Sequence, residues 1–309
     1  MIKRWAYLLY LILAFLVLFF SAAAGDEFGE IPSFYRPLID RLSQEGFDFA
    51  ILAKLFSDPR AEFIPGVTSL SLYPTEIPER YARFLSPDAI LLSKTFLNHN
   101  FKTLKQMEDR FQVDKEVAVA ILLVESRFGE NTGRYRVMPT LASIAIMDSP
   151  ESLQRNCDAS RATDPALSCE WVERRSRKKA EWAYQELKCF LNIILQEKID
   201  PLEVFGSHAG AMGMAQFIPS SYLNYALSEE TFEKWLSSKE EAIFSIGNFL
   251  RSHGWKKNLP VRKKKQILLS YNRSIPYVET VLQIAQKISP SCQGTGGKGG
   301  GSRSLSTRN

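Results

Sequence analysis

Eight apolar residues in a row, Val117 to Val124, run straight into a single carboxylate, Glu125. A helix that is apolar on every side has to lie inside the molecule, so the rest of the chain must be arranged around VAVAILLVE. Asp114 stands where a cap for its first turn belongs. Gly129 and Gly133 offer places for the chain to stop and turn. A glutamate at the inner end of such a helix is partly desolvated and faces the negative pole of the helix dipole, and both effects favour its protonated form. That is the preparation a general acid needs near neutral pH. Two blander readings stay open beside it: the first polar residue of a solvated helix end, or half of an ion pair with Arg127.

The chain of 309 residues is long enough for one large domain or two small ones. Apolar residues recur at helical spacing in FYRPLIDRLSQEG, which stops at Gly46, and in FDFAILAKLFSD. Residues 60–80, with Pro65, Gly66, Pro74 and Pro78, read as an extended connection. Helices are expected again from Ser86-Pro87-Asp88, through KTLKQMEDRFQ, across PTLASIAIM, and along ERRSRKKAEWAYQELKCFLNIILQEK. KEEAIFSIGNFLRSHGW should end at Gly254, and RKKKQILLSYNRSIPYVETVLQIAQKI reads as two helices joined by a short loop. No strand-like alternation and no internal repeat stand out, so the fold class is all-α. His99, among asparagines, reads as a surface or capping histidine.

Lys3 and Arg4, the apolar run Trp5 to Phe20, and Ser21-Ala22-Ala23-Ala24 have the layout of a cleavable signal with its cut after Ala24. An uncleaved N-terminal membrane tether is the rival, since Trp5 to Ala24 is just long enough to span. Either way the remainder is exported, to the periplasm or cell envelope. The expected organisation is residues 1–24 as signal or anchor, 25–290 as the folded domain, and 291–309 as a disordered Gly/Ser-rich tail. Of four cysteines, Cys157 and Cys169 flank a polar stretch that a disulfide would staple, and Cys189 reads as a buried thiol. The net charge of +5 suits an anionic polymer. The basic runs Arg174–Lys179 and Arg262–Lys265 lack interleaved aromatics, so nucleic acid is not an expected partner.

The segment GSHAGAMGMAQFIPSSY is small and unusual. Ala209, Gly210, Ala211 and Gly213 let the backbone approach another surface closely. Met212 and Phe217 add apolar area, Ser207 and Gln216 add donors and acceptors, and Pro219-Ser220-Ser221 looks like a helix start. This mixture suits a groove for a sugar chain, and equally a tight helix-packing turn. Tyr271-Asn272 with Tyr277 is a second aromatic and polar segment of the same kind.

VESRFGENTGRYRVMPTLAS, AEWAYQELKCFL, GSHAGAMGMAQFIPSSY, NFLRSHGW and SYNRSIPY occur in this order. Together they resemble the membrane-bound lytic transglycosylase B type, the second class of soluble-lytic-transglycosylase domain, across roughly residues 30–290. The resemblance implies a lysozyme-like, mostly helical fold with an active-site groove between helical subdomains. It implies a monomer whose partner is the glycan strand of peptidoglycan. The bond cut would be the β-1,4 link from N-acetylmuramic acid to N-acetylglucosamine, leaving a 1,6-anhydromuramyl end, with no cofactor. Glu125 falls at the sole catalytic acid/base. Ser207, Met212, Gln216, Phe217, Tyr271, Asn272 and Tyr277 fall at groove positions, and Tyr81 near an upstream tyrosine one position out of step.

Three departures accompany this resemblance. ALSEETFEKW stands where many members have a calcium-type loop and lacks the alternating ligands and glycine of one, so no metal is expected. Phe249 occupies a position often held by tyrosine. No cysteine follows the apolar run, which removes a lipid anchor. The competing functions are an inactive peptidoglycan-binding scaffold and a hydrolytic muramidase.

Overall fold

The computed structural model describes residues 30–73, 78–164, 166–228 and 231–289. The expected signal or anchor, the Gly/Ser-rich tail and Cys292 lie outside these residues. Among the described residues there are fifteen α-helices and one two-stranded ribbon, and no helix is long and apolar enough to cross a membrane.

The chain opens with α1 (Arg36–Gln44), α2 (Phe49–Ser57) and α3 (Pro65–Leu72). Gly46, at φ 98°, makes the turn after α1. Helix α3 corrects the extended connection expected there. Pro65 sits in its first turn, where a missing N–H costs nothing, and burial of Val67, Thr68, Ser71 and Leu72 outweighs the weak local preference. A short α4 (Glu79–Ala82) leads to α5 (Pro87–His99), whose N-terminus is capped by the Ser86 hydroxyl, and to α6 (Phe101–Phe111).

The run expected to be buried is α7 (Lys115–Ser126). From Val117 to Leu123 no side chain is more than 2% exposed. Each fully buried Val, Leu or Ile contributes about 1.5–3 kcal/mol relative to exposure, so this helix anchors the fold. Its N-terminus differs in one respect: Asp114 is the N-cap but makes no capping bond. Its carboxylate accepts instead from Lys264 Nζ at 2.6 Å.

Beyond the site turn lie α8 (Val137–Ala145), α9 (Pro150–Thr163) and the 29-residue α10 (Cys169–Glu197). Cys157 lies inside α9 rather than in a loop, because Ser149 caps that helix and Pro150 starts it. The expected disulfide joins it to Cys169 at the start of α10, and Cys189 is a free, half-buried thiol. The remaining helices are α11 (Pro219–Tyr225), α12 (Phe232–Ser237), α13 (Lys239–Ser252), α14 (Val261–Tyr271) and α15 (Ile275–Ile288). Helix α7 is enclosed by α15, α5, α6 and α13, while α8 packs along α10. The ribbon is antiparallel, β1 (Tyr135–Arg136) with β2 (Phe205–Gly206), in the register Tyr135 to Gly206 and Arg136 to Phe205. Strands of two residues leave no alternation for a sequence to display.

Candidate active site

Helix α7 stops abruptly. Arg127 and Phe128 both take left-handed backbone, φ 51° and 61°, and their N–H groups close back on the Leu123 and Leu122 carbonyls at 3.0 and 3.1 Å. The Phe128 ring stacks on Phe96 at 4.1 Å, which holds the turn in place. Ser126, 1% exposed, donates its hydroxyl to the Met214 carbonyl at 2.7 Å and accepts from the Gly129 N–H at 3.0 Å. The helix end is thereby fastened to the Gly/Ala-rich turn.

That turn is a folded knot of short bonds. The Ser207 N–H donates to the Ala211 carbonyl at 2.8 Å, and Met212 and Phe217 exchange backbone bonds of 2.8 and 3.1 Å. The ribbon brings Gly133 against Gly206 so closely that a Cβ on Gly133 would lie 2.0 Å from the Gly206 carbonyl oxygen. Glycine is required there.

Glu125 sits at this junction, half-buried. Burial pushes its carboxyl up from the ordinary 4.5 to about 7, and the neighbouring Tyr277 hydroxyl pulls the other way. Among the described residues no cation and no second carboxylate contributes to that shift. The rival pairing with Arg127 does not form, because Arg127 binds Glu130 at 2.8 Å.

Tyr277, in the first turn of α15, is 1% exposed, and its hydroxyl lies beside Glu125 without a well-aligned hydrogen bond. Tyr271 closes α14 and donates its hydroxyl to the Ala215 carbonyl at 2.5 Å. Its ring lies parallel to that of Tyr277, centroids 6.4 Å apart. Burial, and then the charge of Glu125, pushes both phenols well above their ordinary value. Tyr81 meets Tyr277 edge-on at 6.4 Å. The structure therefore gathers Glu125, Tyr271, Tyr277 and Tyr81 into one cluster.

The other expected groove residues divide. Gln216 is half-buried, and its side-chain NH₂ group donates to the Thr132 and Gly213 carbonyls at 3.0 and 2.9 Å. Asn272, half-buried, follows Tyr271 at the end of α14. Ser207 accepts from Ala209 N–H at 3.2 Å and Ala211 N–H at 3.1 Å, so its hydroxyl shapes the turn. Met212 and Phe217, 0% and 2% exposed, have no free surface to offer a sugar. Phe217 packs on Tyr271 and Trp235 and supports the site from beneath. Phe249 stacks on His253 at 4.2 Å and meets Tyr271 at 4.8 Å, an apolar wall at the position often held by tyrosine.

Two residues the sequence reading passed over matter here. Ser126 fastens the turn, and its position directly after Glu125 was the available signal. Glu186 of α10 accepts from the Ser220 N–H and hydroxyl at 2.9 and 2.8 Å, so it caps α11 from another helix. No local pattern announces a partner so far along the chain.

A mostly helical, lysozyme-like body with one desolvated carboxyl beside paired tyrosines is the class of protein that the fold and site define. The chain belongs to the transglycosylase SLT domain family, whose model matches residues 32–267. It is 27% identical over 249 residues to membrane-bound lytic murein transglycosylase B of Escherichia coli strain K12, covering 75% of this chain and 60% of that protein. It thus spans about 60% of the length of that relative. The fold is shared with soluble lytic transglycosylase SltB1 from Pseudomonas aeruginosa (TM-score 0.65, 23% identity, 83% of this chain and 98% of that one). It is shared likewise with the Escherichia coli lytic transglycosylase Slt35 solved with bulgecin A (TM-score 0.65, 23% identity, 84% and 95%).

Proposed function

We propose that this chain is a peptidoglycan lytic transglycosylase of the cell envelope that cleaves the β-1,4 bond between N-acetylmuramic acid and N-acetylglucosamine, with Glu125 as its only general acid and base. The observation that carries this reading is the solitary Glu125 carboxyl, held near pH 7 with no second carboxylate acting on it among the described residues. Hydrolytic glycosidases generally pair two carboxylates, one to protonate and one to attack or activate water. An intramolecular reaction needs only one, because the substrate carries its own nucleophile.

Protonated Glu125 donates to the glycosidic oxygen, and the bond from that oxygen to C1 of the muramyl sugar breaks. The neighbouring N-acetyl group eases the positive charge developing at C1. Glu125, now a carboxylate, takes the proton from the muramyl C6 hydroxyl as O6 closes on C1. No water is consumed, and the acid is restored. The buried Tyr277 hydroxyl, which lies beside Glu125, stands ready to donate to the carboxylate during the interval. Gln216, Asn272 and Tyr271 orient the sugar, and the apolar underside of Met212 and Phe217 keeps water from the carboxyl.

Digestion of purified sacculi followed by mass spectrometry of the fragments tests this. Anhydromuramyl ends without new reducing ends are expected. New reducing ends would make the protein a hydrolytic muramidase, and binding without fragments would make it a scaffold.

A further inference from the structure

Gln216 owes its place to a short segment held from outside. Its backbone is left-handed, φ 49°, which a non-glycine residue keeps only where its surroundings impose it. Upstream, Met214 and Ala215 offer their carbonyls to the Ser126 and Tyr271 hydroxyls. Downstream, α11 begins without a local cap: Ile218 stands at the N-cap and makes no side-chain bond, and Pro219 brings no N–H. The first N–H of α11 therefore belongs to Ser220. It and the Ser220 hydroxyl both donate to Glu186 of α10, at 2.9 and 2.8 Å.

Glu186 is a costly group to place there. It is 5% exposed, and Ala183, Leu187 and Phe190 around it on α10 are fully buried. Burial pushes its carboxyl above the ordinary value, the bonds from Ser220 pull the other way, and among the described residues no cation contributes. A buried carboxylate without a cation is a poor source of stability, and well-packed apolar side chains often serve that end as well or better. What the carboxylate supplies is direction. Two charge-assisted bonds fall on one residue, four positions after Gln216.

We propose that Glu186 is a positioning residue for the transglycosylase reaction: by fixing the first turn of α11 against α10 it sets Gln216, and through Gln216 the sugar at Glu125. The link is short and stiff. Phe217 exchanges two backbone bonds with Met212, so a shift of Ser220 is passed to Gln216 rather than absorbed in slack chain. The Gln216 NH₂ group spends its donors on the Thr132 and Gly213 carbonyls, which leaves the amide oxygen to accept from a sugar hydroxyl. This inference rests on the transglycosylase reading and adds to it a residue that touches no substrate.

Glu186→Ala, Glu186→Gln and Ser220→Ala test it, with kcat/KM read on soluble sacculus fragments and urea unfolding confirming that each variant is folded under assay conditions. Glu186→Ala should lower kcat/KM about 10- to 100-fold, as a displaced orienting group does. Ser220→Ala removes one of the two bonds and should cost about tenfold or less. Glu186→Gln still accepts from the Ser220 N–H and should stay within about threefold of wild type. In a Gln216→Ala background each loss should shrink below about twofold, because nothing is left to position. If Glu186→Ala does not fold, Ser220→Ala carries the same comparison. Losses that persist undiminished in Gln216→Ala, or wild-type rates in both Glu186→Ala and Ser220→Ala, overturn the proposal. Hydrogen exchange reads the same contact without turnover: in both variants the amides of residues 213–220 should exchange at least about tenfold faster while those of 117–123 keep their rate. Unchanged exchange in 213–220 overturns the proposal too. Faster exchange there, in a protein whose wild type cleaves nothing, supports this assignment of Glu186 and sinks only the transglycosylase reading.

Discussion

Glu125→Gln separates the chemistry of the site from its energetics. Moving a carboxyl's titration from 4.5 to about 7 by burial means that the folded state holds this proton more tightly than the unfolded chain does. The resulting stability is fully present below 4.5 and is lost as pH rises through 7. At about 1.4 kcal/mol per pH unit, the wild-type protein should lose about 3 kcal/mol between pH 4 and pH 8 from this group alone. Glutamine fills the same space and cannot ionise, so the variant lacks that loss. Urea unfolding of both proteins at half-unit steps of pH measures it: the difference in unfolding free energy, wild type minus variant, should fall by about 3 kcal/mol across the range. Turnover of sacculi should drop about 10²- to 10⁴-fold or more in the variant, while its stability at pH 8 exceeds that of the wild type. Parallel stability curves would show that the carboxyl is well hydrated in the folded protein, and the argument for Glu125 as a ready acid would go with them.

Three further outcomes follow from the same geometry. Tyr277→Phe removes the hydroxyl that holds the Glu125 proton affinity down, so the alkaline limb of the kcat profile should move to higher pH while kcat itself falls; a limb moving the other way refutes the assignment. Ser126→Ala breaks the bond to the Met214 carbonyl and should cost about 1–3 kcal/mol in urea unfolding, with kcat reduced more than KM is raised. Gly133→Ala would drive a methyl into the Gly206 carbonyl and hold a left-handed φ of 105°, and a loss of at least about 2–3 kcal/mol is expected in the urea midpoint.

The parts of this molecule legible in its sequence are those set by local pattern. VAVAILLVE announced its own burial because an all-apolar helix has nowhere else to go, and Ser86-Pro87 announced a helix start. What escaped was decided across distance. Asp114 caps nothing because Lys264, 150 residues away, takes its carboxylate. Pro65 opens a helix because the side chains behind it find a core. Met212 and Phe217 looked suited to a sugar and lie sealed beneath the site; an apolar residue in a turn reads the same whether it faces ligand or core. Tyr81 owed its place to resemblance alone, and its edge-on contact with Tyr277 is something no spacing could supply.

The abrupt end of α7 explains why the acid and the turn belong together. Two consecutive non-glycine residues in left-handed backbone cost about 1–2 kcal/mol each, and nothing local favours Arg127 and Phe128 there. They persist because the turn is held from several sides, by the Leu122 and Leu123 carbonyls, the Ser126 bond to Met214 and the stack of Phe128 on Phe96. A helix that frayed over its last turn in the ordinary way would let water reach the Glu125 carboxyl and return its titration toward 4.5. The strain is thus coupled to proton affinity: loosening the turn anywhere along those contacts should lower the affinity of Glu125 for its proton before it unfolds the protein, so in Ser126→Ala the alkaline limb of the kcat profile should shift toward lower pH even where most of the stability survives.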